Sequence, residues 1–561
     1  MKKIFTLLLC CASLSVSAQY QIPNSDFELW DTETYDSKTC DAPIGWNSFL
    51  SGSGGLKSSA AFVLLYKSEE TRPNSPGGYS AKITAKNVVF AYAQGNLTTG
   101  RINMGSTTAN NSGKSASANN SGRGNEKIWS GQTGNYNWTD ITDTTYNAEF
   151  KGFPDAMHVW VKFYSSNSSY RAKVTTVLHT NGYYQDPLPT TDDCDGDLVG
   201  SATNTTIAPD ANNWQELTIP FTYPSGTATR PSYALVTLST NAVPGTGTEN
   251  DYMLIDDLEY IYNSSLSDLQ FNGTTISGFA KDTYEYTIDD GYTDGCITFT
   301  KDCVGGDVEG HFEPSSNSYI ITVEGDDYNS NPSNTHTYTV NFTKVIINDG
   351  DDINEVGHIS NGTVVLNRKF KAGWNTVCLP FPVTAARLGS SVTTYILSTP
   401  SGDAITFSKT TSNIAKNTPF LANFPSEVNS ITFTSRTINE DKTPLVKTCG
   451  NWTFTGSYEP SISMEGKWGV VNDGSKVRKG GASSTLKSTR AYLEYNGTAN
   501  VNEMRIIIDG EETTITEIDG MPVGNFDVYN LQGVRVRQNV NSLDGLNKGI
   551  YIVNGKKHIV K

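Results

Sequence analysis

Short runs in which apolar and polar residues alternate recur along almost the whole chain, and Gly, Asn, Asp and Pro interrupt them. Such runs predict β-strands with one buried face, and the interruptions predict turns. No stretch after residue 18 carries a convincing helical period, and the abundant Gly, Ser, Thr, Asn and Tyr favour strands and turns over helices. The sequence therefore predicts an all-β protein, and 561 residues are enough for about four domains.

Residues 1–18 have the pattern of a signal peptide. "MKK" is basic, "IFTLLLCCASLSV" is apolar, and "VSA" before Gln19 is a small-residue cleavage site. A lipid anchor on Cys10 or Cys11 would need Gly, Ala or Ser just before it, but Leu9 precedes Cys10, so plain export is favoured. We therefore expect an extracytoplasmic protein, either secreted or held at the outer-membrane surface. No later stretch is long and apolar enough to predict a transmembrane segment.

The balance of charge restricts the classes of partner. The formal net charge is −16, although charged residues make up only 18% of the chain. Nucleic acids and anionic membranes are bound by basic surfaces, because their phosphate groups are negative. The sequence therefore argues against both as partners.

Six cysteines follow the signal peptide, and their spacing fits no zinc motif. They are too few for a disulfide scaffold in a chain of this length. Cys296 and Cys303 enclose the string "CITFTKDC". They either pair across a hairpin or remain reduced in neighbouring strands, and both alternatives stay open.

The strand pattern divides the mature chain into four segments. Residues 19–262 contain at least seven predicted strands, which indicate a two-sheet β-sandwich. Within them, residues 105–125 are polar and of low complexity, so we predict a mobile loop. Residues 264–346, 350–510 and 515–561 form three further β-rich segments.

The stretch "IPNSDFELWD", residues 22–31, places Glu28 in the middle of a predicted strand. Phe27 and Leu29 would then turn one face towards a core. An acidic residue in such a strand needs a partner, and a partner is available near the end of the same segment.

The last strand of that segment, "LIDDLEYIY", carries Asp256 and Asp257. In jelly-roll sandwiches the first and last strands commonly lie side by side, which would bring Glu28 close to these aspartates. Carboxylates that close repel unless a cation lies between them, and Ca²⁺ prefers oxygen ligands. We predict a structural calcium site formed by Glu28, Asp256 and Asp257 with backbone carbonyls near Asn24. The alternative is an exposed Glu28 paired with a lysine.

The strand "MHVWVKFY" carries a candidate ligand-binding face. One face is apolar, and the opposite face presents two aromatic rings and two hydrogen-bond donors, from His158, Trp160, Lys162 and Tyr164. Sugar rings stack on aromatic faces while polar neighbours fix their hydroxyls, so this face suits a carbohydrate. Tyr92 and Tyr183 are expected to add walls. The alternative is that Trp160 fills space between the sheets or beneath the predicted loop.

Catalysis is less well supported by the sequence. Glycosidases normally need two carboxylates at a set separation. The loop "TTDDCDGDLVG" has half of a calcium-loop signature at Asp193, Asp195 and Asp197, but it lacks the required glycine and later glutamate. Signatures of serine hydrolases, zinc proteases and phosphate loops are missing. Catalytic residues therefore remain unknown.

Two resemblances cover the first segment. "NSDFELWD" and "LIDDLEYIY" resemble the frame of carbohydrate-binding jelly rolls attached to bacterial glycanases. That resemblance implies that Glu28 and the late aspartate bind a structural calcium. "GFPDAMHVWVKFY", "WQELTIPFTY" and "SYALVTLSTNAVPGTG" resemble the carbohydrate metabolism domain of Bacteroidetes, over most of residues 19–262.

The later segments also resemble known modules. "LSDLQFNGTTISGF" and "THTYTVNFTK" are similar to the two ends of a bacterial cadherin-like β-sandwich repeat, and "AGWNTVCLPFPVT" is similar to a β-rich module of Bacteroidetes surface proteins. "FDVYNLQGVRVRQ" and "LNKGIYIVNGKKHIVK" resemble the carboxyl-terminal sorting tail read by the type IX secretion system. The alternative for this tail is a final hairpin packed on the third domain.

The sequence as a whole therefore predicts a multi-domain, exported protein of a Bacteroidetes-like bacterium. Its amino-terminal jelly roll is expected to bind poly- or oligosaccharide as an accessory to glycan use, with later domains as spacers and for delivery. Two alternatives stay open: a glycoside hydrolase with an unrecognised acid pair, and an adhesin or matrix protein without sugar specificity. Fold alone cannot choose among them.

Overall fold

The computed structural model describes residues 20–54, 57, 62–87, 92–104, 136–188, 194, 196–225, 229–243, 246–401, 404–498, 503–512, 517–518, 521–522 and 525–560. These residues form almost only β-strands, so the predicted all-β class is confirmed. The bounded helical elements are one α-helical turn, α1 (Ala385–Leu388), and the 3₁₀ turns Phe49–Ser51, Thr144–Tyr146 and Ile353–Glu355. The predicted signal peptide and the predicted loop at 105–125 lie outside the described residues.

The strands of the amino-terminal domain are mostly short. In chain order they are β1 (Trp30–Tyr35), β2 (Lys38–Pro43), β3 (Leu65–Ser68), β4 (Ser80–Thr84), β5 (Lys86–Asn87), β6 (Tyr92–Ala93), β7 (Asn96–Thr98), β8 (Arg101–Asn103), β9 (Tyr136–Trp138), β10 (Ala156–Tyr164), β11 (Ala172–His179), β12 (Gln185–Asp186), β13 (Leu198–Ile207), β14 (Gln215–Pro220), β15 (Tyr233–Ser239) and β16 (Tyr252–Ile261).

Two sheets of this domain enclose one core. The first sheet has the strand order β14-β10-β16-β4-β3, and the second has the order β13-β11-β15-β7. Apolar residues of both sheets belong to a single buried cluster, which also contains Phe27 and Trp46. The inner face of β10 is fully buried, as its alternation predicts, at Met157, Val159, Val161 and Phe163. The predicted two-sheet sandwich is therefore confirmed.

A third, smaller sheet lies on the outer side of the second one. Its strand order is β12-β9-β8. Tyr184, just before β12, packs against Val177 and Leu235, which point away from the main core. This third layer covers part of the second sheet, and its edge forms one wall of the polar cleft described below.

The predicted strand at residues 22–31 begins only at Trp30. Asn24 and Phe27 have φ angles of 53° and 58°, which are incompatible with an extended strand. Phe27 is buried as predicted, but the prediction that Leu29 faces the core is wrong, because its side chain is 51% exposed. The tight turn reverses the direction of the side chains that follow it.

Residues 21–25 nonetheless lie beside the last strand of the domain, as the jelly-roll argument predicts. The Gln21 amide bonds the backbone N–H and C=O of Tyr260, at 2.7 and 2.6 Å. The backbone N–H of Leu258 donates to the carbonyl of Ser25 at 2.9 Å. The beginning and end of the domain are therefore joined by hydrogen bonds, although β1 pairs with β2 in a separate hairpin.

The second domain contains seven strands with described bounds: β17 (Leu266–Phe271), β18 (Thr274–Thr275), β19 (Glu285–Gly291), β20 (Ile297–Lys301), β21 (Asp307–Glu313), β22 (Ser318–Glu324) and β23 (Thr335–Asn348). Tyr338, Val340 and Phe342 of β23 point into its core, as their alternation predicts. Cys296 and Cys303 are free thiols in the same core, which corresponds to the reduced alternative.

The third domain continues the sheet of the second, because the long strand β23 pairs in parallel with β24 over residues 344–348 and 363–367. Its strands are β24 (Ile359–Asn367), β25 (Gly373–Val377), β26 (Thr393–Ser401), β27 (Ala404–Thr410), β28 (Phe420–Phe424), β29 (Ile431–Ile438), β30 (Val446–Cys449), β31 (Trp452–Ser457), β32 (Ile462–Ser463), β33 (Trp468–Val470), β34 (Lys476–Lys479), β35 (Thr485–Leu486), β36 (Arg490–Tyr495), β37 (Glu503–Ile508) and β38 (Glu511–Glu512).

The last segment holds a two-stranded ribbon and a four-stranded sheet. The strands are β39 (Glu517–Ile518), β40 (Met521–Pro522), β41 (Phe526–Asn530), β42 (Arg535–Val540), β43 (Gly549–Val553) and β44 (Lys556–Val560). The sheet order is β42-β41-β43-β44, with a small core around Val528 and Val553. This sheet has its own core, whereas its role as a sorting tail stays a prediction.

The first two domains meet through buried polar contacts. The Asp326 carboxylate of the second domain accepts hydrogen bonds from the Phe153 backbone N–H at 2.7 Å and from the Arg230 guanidinium at 2.6 and 2.9 Å. In return, the Asp155 carboxylate accepts from the Val304 backbone N–H at 3.1 Å. Reciprocal bonds of this kind fix the angle between two domains more firmly than a flexible linker would.

Candidate functional site

Four of the six predicted sugar-contacting residues lie on one face of β10, as predicted. They are His158, Trp160, Lys162 and Tyr164, and each is half-buried. Their strand is flanked by β14 and β16, so that Trp160 lies opposite Glu216 on one side and Asp256 on the other.

The middle of this face is covered by the segment between β3 and β4. Glu70 of that segment forms a 2.6 Å ion pair with Lys162, whose side chain is only 14% exposed. Arg72 lies over the Trp160 ring, at 5.6 Å from its centroid. The protein's own side chains therefore occupy the positions over Trp160 and Lys162 that a sugar would need.

His158 also has partners within the protein. Its Nε2 lies 3.1 Å from the Glu216 carboxylate, and its Nδ1 lies 3.3 Å from that of Glu259. Only the first contact has hydrogen-bond geometry. His158 thus sits between two exposed carboxylates at the edge of the covered face.

The remaining two predicted residues lie elsewhere. Tyr183 is buried against the third sheet, where it stacks on Trp138 with the ring centroids 5.5 Å apart. Tyr92 pairs with Asn87 in the short ribbon β5–β6. The six predicted residues are therefore not gathered into a single binding site.

The three predicted calcium ligands have separate partners. Both oxygens of Glu28 accept backbone N–H groups, from Gly78 at 3.0 Å and from Tyr79 at 2.9 Å. The Glu28 carboxylate lies so close to Gly77 that a Cβ there would lie 2.0 Å from it, so any larger residue at position 77 would displace the glutamate. Glu28 therefore stabilises the 77–79 loop by accepting these two backbone hydrogen bonds.

Asp256 and Asp257 are held by one arginine. The backbone N–H of Arg72 donates to Oδ2 of Asp256 at 2.9 Å, and its Nε donates to Asp257. Burial raises the pKa of Asp256 to about 6. Its other oxygen, Oδ1, is buried and has no hydrogen-bond partner in the part of the chain that the structure describes. Over the described ranges, no group of three or more His, Cys, Asp or Glu side chains is arranged to hold a metal ion.

A different site lies on the outer side of the second sheet. We call it the polar cleft and define it by Gln94, Asn96, Asn137, Lys173, Asp186, Thr237 and Asn241, with Tyr136 at its edge. These residues come from β7, β9, β11, β12 and β15 and from the turns beside them. The enclosed part has a volume of about 50 Å³, so it could enclose only part of a sugar ring.

The walls of the polar cleft are fixed by internal hydrogen bonds. The amides of Asn96 and Asn137 bond each other reciprocally at 3.1 Å, and Asn137 also donates to the Thr237 hydroxyl at 3.0 Å. Lys173 forms a 2.7 Å ion pair with Asp186, and both side chains are nearly buried. The cleft therefore combines amide, hydroxyl, ammonium and carboxylate groups in set positions.

Two polar side chains of the polar cleft are buried with one hydrogen-bonding atom of each left unpaired. Among the described residues, neither the Oε1 of Gln94, which is 4% exposed, nor the Nδ2 of Asn241, which is 1% exposed, has a hydrogen-bond partner. Buried polar atoms are nearly always paired, because an unpaired one costs about 1–3 kcal/mol. Both side chains line the cleft, so its walls hold an acceptor and a donor that have no partner among the described residues.

Comparisons with known proteins give fold-level likenesses. Neither the protein-family models nor the curated proteins compared with this chain contain a match. A candidate glycoside hydrolase from Bacteroides thetaiotaomicron aligns at 13% identity with a TM-score of 0.26, covering 42% of this chain and 68% of its own.

Two further solved structures are described as carbohydrate-binding modules. A family 27 module from Caldicellulosiruptor saccharolyticus in complex with mannohexaose aligns at 10% identity and a TM-score of 0.20, covering 39% of this chain and 90% of its own. The amino-terminal tandem of family 22 modules of Xyn10C from Paenibacillus barcinonensis aligns at 10% identity and a TM-score of 0.18, covering 74% and 87%. The resemblances to a Bacteroidetes family, a cadherin-like repeat and a sorting tail stay predictions.

The sequence predicted no transmembrane segment, and the helices of the structure can be compared with that prediction. In the parts of the chain with described coordinates, no helix combines the length and apolar character needed to cross a bilayer.

Proposed function

We propose that this chain is an exported glycan-binding accessory protein and that its amino-terminal domain binds the glycan in the polar cleft. One observation carries the proposal: Gln94 and Asn241 hold an unpaired acceptor and an unpaired donor in a rigid cleft. Sugar hydroxyls both donate and accept hydrogen bonds, so a sugar in the cleft offers a partner to each kind of group. The buried Tyr136 also lines the cleft.

Binding is favoured over hydrolysis by the acids that are present. Glycoside hydrolysis normally needs two carboxylates flanking the scissile bond. Among the described residues that line the polar cleft, Asp186 is the one carboxylate, and Lys173 pairs with it. The lining thus supports a site that holds a sugar and does not support one that cleaves it.

A glycan screen of the full chain, followed by titration of the best ligand, tests the proposal. Gln94→Met keeps the size of the side chain but removes its amide, so we expect at least a tenfold loss of affinity. Trp160→Ala, on the originally predicted face, should leave affinity unchanged. Loss of affinity in Trp160→Ala but not in Gln94→Met would instead place the sugar on β10. A chain that binds no glycan would favour the adhesin or matrix alternative.

Export and surface association belong to the same proposal. The signal-peptide pattern and the tail resemblance support an extracytoplasmic, secreted or outer-membrane-associated protein. Fractionation of the native bacterium tests this part separately, because a protein recovered only from the cytoplasm would contradict it.

We also propose a calcium site, but with fewer side-chain ligands than the sequence predicted. Asp257 is committed to Arg72, so the predicted three-carboxylate set does not fit one ion. Oδ1 of Asp256 is buried without a hydrogen-bond partner among the described residues, so Asp256 would be one side-chain ligand. Glu28 would be the other, although its two oxygens also accept the backbone N–H groups of Gly78 and Tyr79. A bound ion would stabilise the junction between the beginning and end of the domain.

Chelation tests the calcium proposal. Extracellular sites often have dissociation constants of about 10⁻⁴–10⁻³ M, so 1 mM calcium (about one to ten times the dissociation constant) should add roughly 0.4–1.4 kcal/mol to the free energy of unfolding. We expect EDTA to lower the melting temperature of wild type and calcium to restore it. Glu28→Ala should start lower, because it loses two hydrogen bonds, and should not respond to calcium. Identical melting of wild type in EDTA and in calcium would reject the site.

A further inference from the structure

A second cleft opens on the other side of the amino-terminal domain, at the edge of the first sheet. It has a volume of about 780 Å³ and lies between β3, β4 and the residues that lead into β16. Its lining includes Tyr66, Lys67, Lys82, Lys86 and Tyr252. We call it the lysine–tyrosine cleft. It is separate from the polar cleft, which lies on the opposite sheet.

Aromatic rings hold the three lysines of this cleft. The ammonium of Lys67 lies 3.5 Å from the centroid of Tyr79, that of Lys82 lies 4.4 Å from Tyr252, and that of Lys86 lies 4.8 Å from Phe62. Such contacts attract a cation through the electron-rich face of the ring. The rings therefore favour fixed positions for the ammonium groups.

These aromatic rings do not neutralise the positive charge of the lysine ammonium groups. Among the described residues, none of the three lysines has a carboxylate within ion-pair distance, whereas Lys162 and Lys173 of the same domain are paired with acids. Glu69 and Glu249 also line the cleft, but both are exposed and bound to none of these lysines. A protein of net charge −16 thus keeps three lysines without acidic partners around one cleft. Lys82 shares the face of Tyr66, whereas Lys67, next to Tyr66 in β3, leaves the strand on the opposite side.

Tyr66 adds an open aromatic surface beside them. Its side chain is 45% exposed, and its hydroxyl is anchored to the Val63 carbonyl at 2.9 Å. Tyr66 lies directly opposite Lys82 in the register of β3 and β4, so the ring and the ammonium face the same side of the sheet. A ring for stacking and a charge for an anion are therefore adjacent.

We infer that the lysine–tyrosine cleft binds an acidic sugar, with a carboxylate or sulfate group on the lysines and a sugar ring on Tyr66. An anion would accept the ammonium N–H bonds that the aromatic rings leave unused. A neutral sugar offers these lysines only uncharged hydroxyls, so it would gain less from them than an anion would. The inference adds a second, chemically distinct site and does not depend on ligand binding in the polar cleft.

The test measures binding of the full chain to three polymers at low and high salt: polygalacturonate, dextran sulfate and neutral dextran. We expect binding to at least one acidic polymer, little binding to dextran, and weakening by salt. Binding to one acidic polymer alone identifies carboxylate or sulfate as the preferred group. Equal binding to neutral dextran, or binding to none of the three, would overturn the inference.

Variants locate the binding and separate it from non-specific attraction. The double variant Lys82→Gln with Lys86→Gln should weaken binding roughly fivefold at low salt, and Lys151→Gln, an exposed lysine of the same domain, should not. Tyr66→Ala should weaken binding to the acidic polysaccharide but not to polyglutamate, which has charge without sugar rings. Gln94→Met should leave this binding intact, so failure of one cleft does not imply failure of the other. An unchanged affinity in the double variant would contradict the inference.

Discussion

Replacing Asp326 with alanine is expected to lower the free energy of unfolding of the first two domains by about 2–4 kcal/mol. The Asp326 side chain is 3% exposed and accepts hydrogen bonds from the Phe153 backbone and from the Arg230 guanidinium. Its loss leaves the buried N–H of Phe153 unpaired, which alone costs about 1–3 kcal/mol, and removes charged hydrogen bonds across the junction. Calorimetry of the full chain measures the effect.

Glu309→Ala provides the matched control, because it removes an exposed acid from the same domain. It should leave the transition unchanged within about 0.5 kcal/mol. X-ray scattering offers a second readout, since a loosened junction should extend the Asp326→Ala protein but not the control. An unchanged transition and an unchanged scattering profile would mean that the two domains are not joined through Asp326 in solution.

Acidification from pH 6.5 to 4 is expected to cost the amino-terminal domain roughly 2–3 kcal/mol through His179 alone. This histidine is fully buried at the end of β11, and burial lowers its pKa from 6.5 to about 4. Its Nδ1 donates to the Thr180 carbonyl at 2.8 Å, so Nε2 accepts from the Thr139 hydroxyl at 2.8 Å. These two hydrogen bonds stabilise the neutral imidazole.

The sign of this effect follows from linkage between protonation and folding. The unfolded chain takes up a proton near pH 6.5, whereas the folded chain resists until about pH 4. The stability from His179 is therefore complete above pH 6.5 and is lost as the pH falls towards 4. His179→Phe keeps a ring between Tyr184 and Tyr233 but cannot take up a proton. On acidification, wild type should therefore lose stability relative to the His179→Phe variant. A difference that stays constant with pH would show that His179 does not titrate in this window.

The strands were predictable because their signal is local. In β10 every second residue is buried, so eight letters of sequence predict which side chains meet the core. The sequence could not predict what covers the outer face. The partner of Lys162 is Glu70, which lies 92 positions away, and only the folded chain brings the two together.

The polar cleft was missed for a related physical reason. Five short segments build it, and β7 and β9, which contribute Asn96 and Asn137, are only three residues long. Polar residues in such short runs look like loop residues, because alternation needs more positions to be recognised. The strings "AYAQGN" and "STNAVP" hold Gln94 and Asn241 next to strands, and amides at strand ends were the available signal.

For the segment around Glu28 the sequence predicted the position in the fold correctly, but not the hydrogen-bond partners of Glu28. The beginning of the domain does lie beside its last strand, through Ser25 and Leu258. The turn at Asn24 and Phe27 nevertheless directs the Glu28 carboxylate to the 77–79 loop, because two backbone N–H groups there need an acceptor. Positive φ at Phe27, a bulky residue, is rare enough that sequence alone does not predict it.

The most direct test of carbohydrate binding in the polar cleft is a paired measurement on Gln94→Met in the full chain. The wild-type amide is buried with its oxygen unpaired, so replacing it with an apolar group of similar size should leave the unfolding free energy unchanged or raise it by up to about 1 kcal/mol. The same variant should bind the glycan at least tenfold more weakly. Stability kept and affinity lost is the predicted result. Affinity kept, or stability lost by more than about 1 kcal/mol, would show that Gln94 serves the fold and that the polar cleft is not the glycan site.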